Sequence, residues 1–407
     1  MLILSICLLI LPLPVIGVML SWAGIYRSPN KWKKYFFFFI YPVTMFAYSV
    51  EPSYVNDLSR YFEQVNLFSR YTFTEAFHLL SDGLFVRNVI FWLISKTGDV
   101  HLLPLLTTGI SYAICYYITC DSARRLHSES YIYLVLAFEV LVIPFFNVVC
   151  NVRNVTAFLL ISLAAYRELV EKKRDLILVL LYILPCFFHK TGVTMLALRM
   201  LIVIFERYRI LSLAIIIGLP NIIDFAYAHV SWIRGAGIIT VVLRRLILSA
   251  HNYLYDESEY AANFQNSRFG IIRITVFVII GILAYYCYQY IIKHHESEFV
   301  RFTTFAFELC IMTLACGAFD TPAYWRYAVA AYVACTPVLL MGLSRVESDI
   351  HINKTMFYIL GGLALLRFGL GLRYTWTRMD FGGFIVNSMF TNIYGILIKM
   401  FQMGLNA

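Results

Sequence analysis

Charge is scarce in this chain of 407 residues: Asp, Glu, Lys and Arg make up only 14% of it. A soluble domain carries about 25% charged residues, so a water-facing fold of this length would lack the groups to cover itself. No repeat, low-complexity linker or soluble catalytic domain stands out. No Gly-rich phosphate loop occurs, so a nucleotide-driven machine would need a partner to supply its nucleotide site. The nine cysteines, Cys7, Cys115, Cys120, Cys150, Cys186, Cys287, Cys310, Cys316 and Cys335, lie in or beside apolar segments. None pair at metal-ligand spacing, which argues against a zinc site or a disulfide framework and leaves small core- or lipid-facing side chains.

What is abundant is apolar. Hydrophobic residues reach 60% and aromatics 17%, with 29 Tyr and 33 Phe. The apolar runs are continuous, whereas strands of a membrane barrel alternate apolar and polar residues. Continuous runs and aromatic belts point to helices in lipid. The predicted fold is therefore all-α: a polytopic membrane helix bundle forming one domain over 1–407. The net charge of +9 is explained by basic turns on one side of a membrane, so no nucleic-acid partner is implied.

The first apolar run, MLILSICLLILPLPVIGVMLSWAG, lacks the positive n-region of a secretory signal. Its positive charges follow it, at Arg27, Lys31, Lys33 and Lys34. That predicts a retained first helix with its N-terminus outside.

About twelve candidate spans follow. They lie near 2–22, 34–50, 100–120, 131–149, 153–169, 175–190, 191–206, 209–227, 269–291, 302–319, 326–343 and 355–371. Alternate turns hold Arg27/Lys31/Lys33/Lys34, Arg124/Arg125, Lys172/Lys173/Arg174, Arg207/Arg209, Lys293/Arg301 and Arg345/Lys354. These short basic turns are expected in the cytoplasm. The opposite side receives 51–99, 150–153, 189–191, 228–268 and 320–326, of which 51–99 and 228–268 are long loops. The stretch 84–97 carries Arg87 and is too short to span, so an interfacial helix is expected. The stretch 383–403, with Asn387, Asn392 and Lys399, reads as another interfacial helix or a thirteenth span.

Ionisable residues gather at the non-cytoplasmic helix ends. Arg153 opens the fifth span in CNVRNVTAFLL, and His189 and Lys190 close the sixth in LPCFFHKTGVTML. Arg273 lies one turn into the ninth. Asp320 and Arg326 bracket a turn in CGAFDTPAYWRYAVA, and Arg367 approaches the outer end of the twelfth. The loop 228–268 holds Arg234, Arg244, Arg245 and His251, and the first long loop offers Asp57, Arg60, Tyr61 and Glu63. Arginine grips phosphate oxygens through paired hydrogen bonds. Arg153 and Arg326 also sit at helix N-termini, which favour anions. The set points to a lipid-linked diphosphate, with interface snorkelling the plain alternative for any single Arg. His189 is a candidate base, kept neutral by Lys190, or a hydrogen-bonded interface histidine. Asp57 and Asp320 are rival bases or partners of Arg60 and Arg326. Tyr61 could stack on sugar, but an aromatic-belt position is the expectation. Glu139, Arg199 and Glu308 lie nearer mid-membrane, as a buried ion pair or an ion pathway.

The stretch VRNVTAFLLISLAAYRELVEKKRDLILVLLYILPCFFHKTGVTML resembles the central signature of EpsG-like polysaccharide polymerases, of the wider Wzy O-antigen polymerase class. VNDLSRYF resembles the family's Asp-plus-Tyr element, and WRYAVAAYV its late Arg-containing helix. Asn154 stands where the family pattern has Gln. The resemblance implies a bacterial inner-membrane enzyme with its active site facing the periplasm. It would move a glycan from undecaprenyl diphosphate to the non-reducing end of a second lipid-linked repeat unit. No metal or other cofactor is expected, and a separate chain-length regulator is implied. Arg153, Arg326 and Arg245 would stabilise the leaving diphosphate, supported by Lys190, Arg244 and Arg273. His189, or else Asp57, would be the base, with Arg60, Tyr61 and Asp320 contacting substrate. The loop 228–268 would close over the sugar. Rival readings are a flippase or transporter of lipid-linked sugars, the related O-antigen ligase, and a membrane acyltransferase.

Overall fold

The computed structural model describes residues 14–51, 57–78, 83–233, 267–294, 297–318, 323–344, 354–376 and 381–405, with isolated residues of 240–251 and Ile352. The described residues are mostly helical, with no strand among them. Arg234, Arg245, Asp320, Cys7 and most of the loop 228–268 lie outside the described residues.

In chain order the helices are α1 (Pro14–Arg27), α2 (Trp32–Tyr48), α3 (Asp57–Phe68), α4 (Phe73–His78), α5 (Phe85–Ser95) and α6 (Leu102–Arg125). Then come α7 (Ile132–Val142), α8 (Phe145–Cys150), α9 (Val152–Leu169), α10 (Leu176–Phe188), α11 (Gly192–Arg207) and α12 (Arg209–Ala228). The last set is α13 (Ser267–Lys293), α14 (Val300–Ala318), α15 (Tyr324–Ala334), α16 (Thr336–Ser344), α17 (Lys354–Trp376), α18 (Phe381–Phe390) and α19 (Ile393–Leu405).

Among the described residues, five helices are long and apolar enough to cross a membrane: α6, α12, Gly270–Lys293 within α13, α14, and Thr355–Arg373 within α17. A sixth arises if α15 and α16, bent by 44°, count as one span. Other expected spans are broken or short. Pro144 splits 131–149 into α7 and α8, because its ring cannot continue the helix and its N–H is missing. The 13 residues of α10 extend only about 20 Å, against roughly 30 Å of hydrocarbon. The stretch 383–403 is interrupted at 391–392 into α18 and α19.

The exterior suits hydrocarbon. Helix α12 exposes Ile210, Ile217, Ile222 and Phe225, and α10 exposes Leu176, Ile177, Val179 and Ile183. Apolar surface this extensive does not persist in water on a soluble monomer.

Helix α9 is the hub. It packs on α6, α10, α11, α14 and α15, and its Val155, Phe158, Leu159, Ile161 and Ala165 are fully buried. The next connection is short and defined: Asp175 caps α10 by accepting the Leu178 N–H at 2.8 Å. At the other end of α10, His189 and Lys190 turn the chain into α11. A Cβ on Gly192 would lie 3.0 Å from the Cys186 backbone and from the Pro185 carbonyl oxygen, so only glycine lets the two helices approach this closely.

Of the mid-bundle charges, for which a buried ion pair or an ion pathway was expected, Arg199 finds its ion pair in a carboxylate outside that set. Arg199 pairs with Glu168 at 2.5 Å. Glu139 is held instead by the Thr119 and Thr336 hydroxyls, at 3.0 and 2.7 Å. Glu308 accepts from Ser212 at 3.2 Å. The cysteines are less dispersed than their spacing indicates: Cys335 Sγ lies 3.6 Å from both Cys287 and Cys310 Sγ. Even so, no His, Cys, Asp and Glu group suited to a metal ion occurs among the described residues.

Candidate functional site

The first turn of α9, the α10–α11 turn and the first turn of α15 converge on His189. The charges acting most on its imidazole are those of Arg153, Arg326, Lys190 and Arg87, all cationic. Four separate helices or turns supply them.

Two of these cations occupy places that electrostatics alone disfavours. Arg153 is in the first turn of α9 and Arg326 in that of α15. A helix N-terminus carries partial positive charge and stabilises anions, not guanidinium groups. Neither helix has an acidic residue in its first turn, and neither N-cap residue, Asn151 or Ala323, makes a side-chain capping bond. The leading N–H groups of both helices thus lack that usual protein partner. An anion docking there would meet N–H donors and guanidinium groups together.

Arg153 Nε is buried and makes no hydrogen bond. Its guanidinium lies instead over the Tyr61 ring, 4.5 Å from the centroid. Tyr61 is 1% exposed and packs on Phe91 at 6.2 Å. The expected aromatic-belt position for Tyr61 is therefore wrong: α3 folds back so that the ring floors the site. Cation–π contact holds Arg153 without neutralising it. Arg326 lies beside the Trp325 ring, 5.4 Å from its centroid, and its charge is felt by Arg60. Arg60 donates to Asp57 at 2.8 Å, an exposed pair.

Burial holds the His189 imidazole well below its usual range, and the flanking cations push it the same way. It stays neutral at pH 7. The Thr191 N–H donates to His189 Nδ1 at 3.3 Å, and the Thr191 hydroxyl lies 2.5 Å from the same atom. With Nδ1 accepting, the ring proton resides on Nε2. Neutral His189 is then a hydrogen-bond donor at Nε2. The base role expected of His189 draws on the other tautomer, in which Nε2 is free to accept a proton.

Helix α5 lies where an interfacial element was expected, but Arg87 points inward, 3% exposed, with Nη2 donating to Asn88 Oδ1 at 2.7 Å. Sequence reasoning passed over Arg87 as a site residue. Its only signal was an arginine inside a short apolar helix. Arg273 and Arg244 fall elsewhere. Arg273 acts on Tyr324, and Arg244 donates to the Ile233 carbonyl. Asp57, Arg60, Tyr61, Arg153, His189, Lys190 and Arg326 thus form one neighbourhood, joined by Arg87. Its charge is that of a cationic cluster around a neutral imidazole, with the Asp57 carboxylate beside Arg60 among the described residues.

No family model matches the chain, and neither does any curated protein or solved structure. A function has to be read from the site itself.

Proposed function

We propose that this chain is a metal-independent glycosyltransferase of a bacterial inner membrane that polymerises lipid-linked oligosaccharide repeat units, with about twelve spans and its His189 end facing the periplasm. The observation that carries this reading is the gathering of Arg153, Arg326, Lys190 and Arg87 around one neutral histidine at two uncapped helix N-termini. A diphosphate leaving group is the ligand such a cluster suits, since its charge grows as it departs.

In this mechanism the anomeric C–O bond to the donor's diphosphate breaks, and its electron pair leaves with the phosphate oxygen. Arg153 and Arg326, with the N–H groups of α9 and α15, stabilise that oxygen. His189 donates to it through Nε2. An acceptor hydroxyl of the second lipid-linked unit forms the new C–O bond. Its proton passes to Asp57, which Arg60 holds at the rim. Tyr61 orients Arg153 from below. Lys190 adds positive charge at the pocket edge.

The competing flippase reading calls for cations lining a path through the bundle. The one mid-bundle arginine singled out for such a path, Arg199, is instead bound to Glu168 through two hydrogen bonds.

Purified protein supplied with lipid-linked repeat unit tests the proposal. Wild type should yield a ladder of glycans. Arg153→Ala and Arg326→Ala should each abolish chains beyond the starting unit while the protein remains inserted and folded. Full-length ladders from both variants would exclude the diphosphate site.

A further inference from the structure

Arg367 is a buried cation that the site above does not use. It is 5% exposed within α17, and its Nε makes no hydrogen bond. No carboxylate pairs with it among the described residues. Its closest electrostatic partners are the Tyr332 and Tyr324 hydroxyls, and the Tyr332 hydroxyl is likewise buried without a hydrogen-bond partner. Arg273 adds a second positive charge near Tyr324. An isolated charge inside a membrane bundle is costly and calls for a compensating anion. The snorkelling alternative fails, because snorkelling requires the guanidinium to reach water.

A cavity of about 220 Å³ adjoins this cation, lined by Phe46, Phe145, Phe368, Leu372 and Phe384, together with Gly371. Gly371 is the join. A Cβ placed on it would lie 3.7 Å from Arg367 Nη1 and 3.5 Å from the Pro144 ring, which also lines the cavity. Benzene occupies a cavity of roughly 150 Å³, so this one accepts a short length of hydrocarbon chain. A guanidinium close behind the Gly371 wall of an aromatic slot matches an amphiphile: an anionic head with an apolar tail.

We infer that Arg367, Tyr332 and the aromatic cavity form a second binding site, for an anionic prenyl lipid. The two sites differ in their cations: Arg367 lies on α17, and the groups acting most on it are Tyr332 and Tyr324, whereas Arg153, Arg326, Lys190 and Arg87 act most on His189. This inference rests on the polymerase reading, in which two lipid-linked substrates must be held at once. The Arg367 site takes the carrier of one while the His189 cluster takes the diphosphate of the other.

Native mass spectrometry of the purified full chain with polyprenyl diphosphate is the test. Wild type should bind two lipids. Arg367→Met, and independently Gly371→Leu, should bind one, with the second weakened about tenfold or more. Arg153→Ala/Arg326→Ala should lose the other lipid only. Arg367→Met should also melt at a higher temperature than wild type without lipid, since it removes an uncompensated buried charge. Two lipids retained at unchanged affinity by Arg367→Met and Gly371→Leu would overturn the second site. So would displacement of that lipid by inorganic diphosphate or by phosphatidylglycerol at equal concentration, which would show that the prenyl chain is not recognised. If Arg367→Met loses a lipid but Arg153→Ala/Arg326→Ala loses none, the second site stands and the polymerase reading falls.

Discussion

The two ends of the bundle treat arginine in opposite ways. At the Arg125 end, cations are matched with carboxylates. Asp121 binds Arg124 at 2.6 Å and Arg125 at 2.7 Å, and Arg125 reaches Glu298 at 3.8 Å. Arg167 meets Asp175 at 2.9 Å, and Arg301 meets Glu206 at 2.7 Å. Tyr166 adds a hydroxyl donor to Asp121 at 3.0 Å. At the His189 end, the strongest charges acting on the imidazole are the cations Arg153, Arg326, Lys190 and Arg87; Arg153 rests on the Tyr61 ring, and Arg60 holds Asp57 at 2.8 Å. Matched pairs at a surface contribute little and are structural. A cationic cluster of this kind lowers the cost of placing an anion beside it. The contrast teaches where binding energy is available.

The comparison breaks hardest if the His189 end proves dispensable. Loss of one well-placed donor to a developing negative charge costs about 10²–10³ in turnover, so Arg153→Ala and Arg326→Ala should each fall at least that far in a reconstituted assay. Arg199→Ala, which strips a part-buried partner from Glu168, should lower stability by about 1–3 kcal/mol with turnover per folded molecule retained. Thermal melting in detergent beside a single-turnover assay separates the two classes.

His189 sharpens the contrast through pH. Its pKa is depressed in the folded protein against about 6.5 unfolded. Below that pH the unfolded state binds the extra proton, so stability should fall as pH drops from 7.5 towards 5.5. His189→Gln should flatten that slope, and a bound diphosphate should reduce it in wild type by offsetting the flanking cations. Gly192→Ala should shift the His189 turn at a cost of about 1–3 kcal/mol, read as a lower melting temperature. Arg124→Gln, whose side chain is 54% exposed, should change stability by no more than about 0.5 kcal/mol.

Much of this was legible before any coordinates. Continuous apolar runs named the fold class, and basic turns such as Arg124/Arg125 alternated with arginine-tipped helix ends. Arg153, His189 and Arg326 stood out because ionisable groups at such positions are rare. The role of Tyr61 was not legible, because belt tyrosines and buried tyrosines share the same sequence context. Arg87 was hidden for the same reason: the direction of a side chain on a short amphipathic helix depends on what packs over it. Pro144 was visible, but its effect on the 131–149 run was read too lightly.

The sequence by itself determined that this is a helical chain built for an apolar surround, with its cations sorted by position along each helix. Charge density and run length are local properties, and local properties survive without a fold. Only tertiary structure decided which cations meet. Residues 61, 87, 153, 189 and 326 come together because α9 packs among six helices and Gly192 lets α10 and α11 close. The contact of Thr191 with the His189 ring is likewise a tertiary feature that composition and spacing do not reveal.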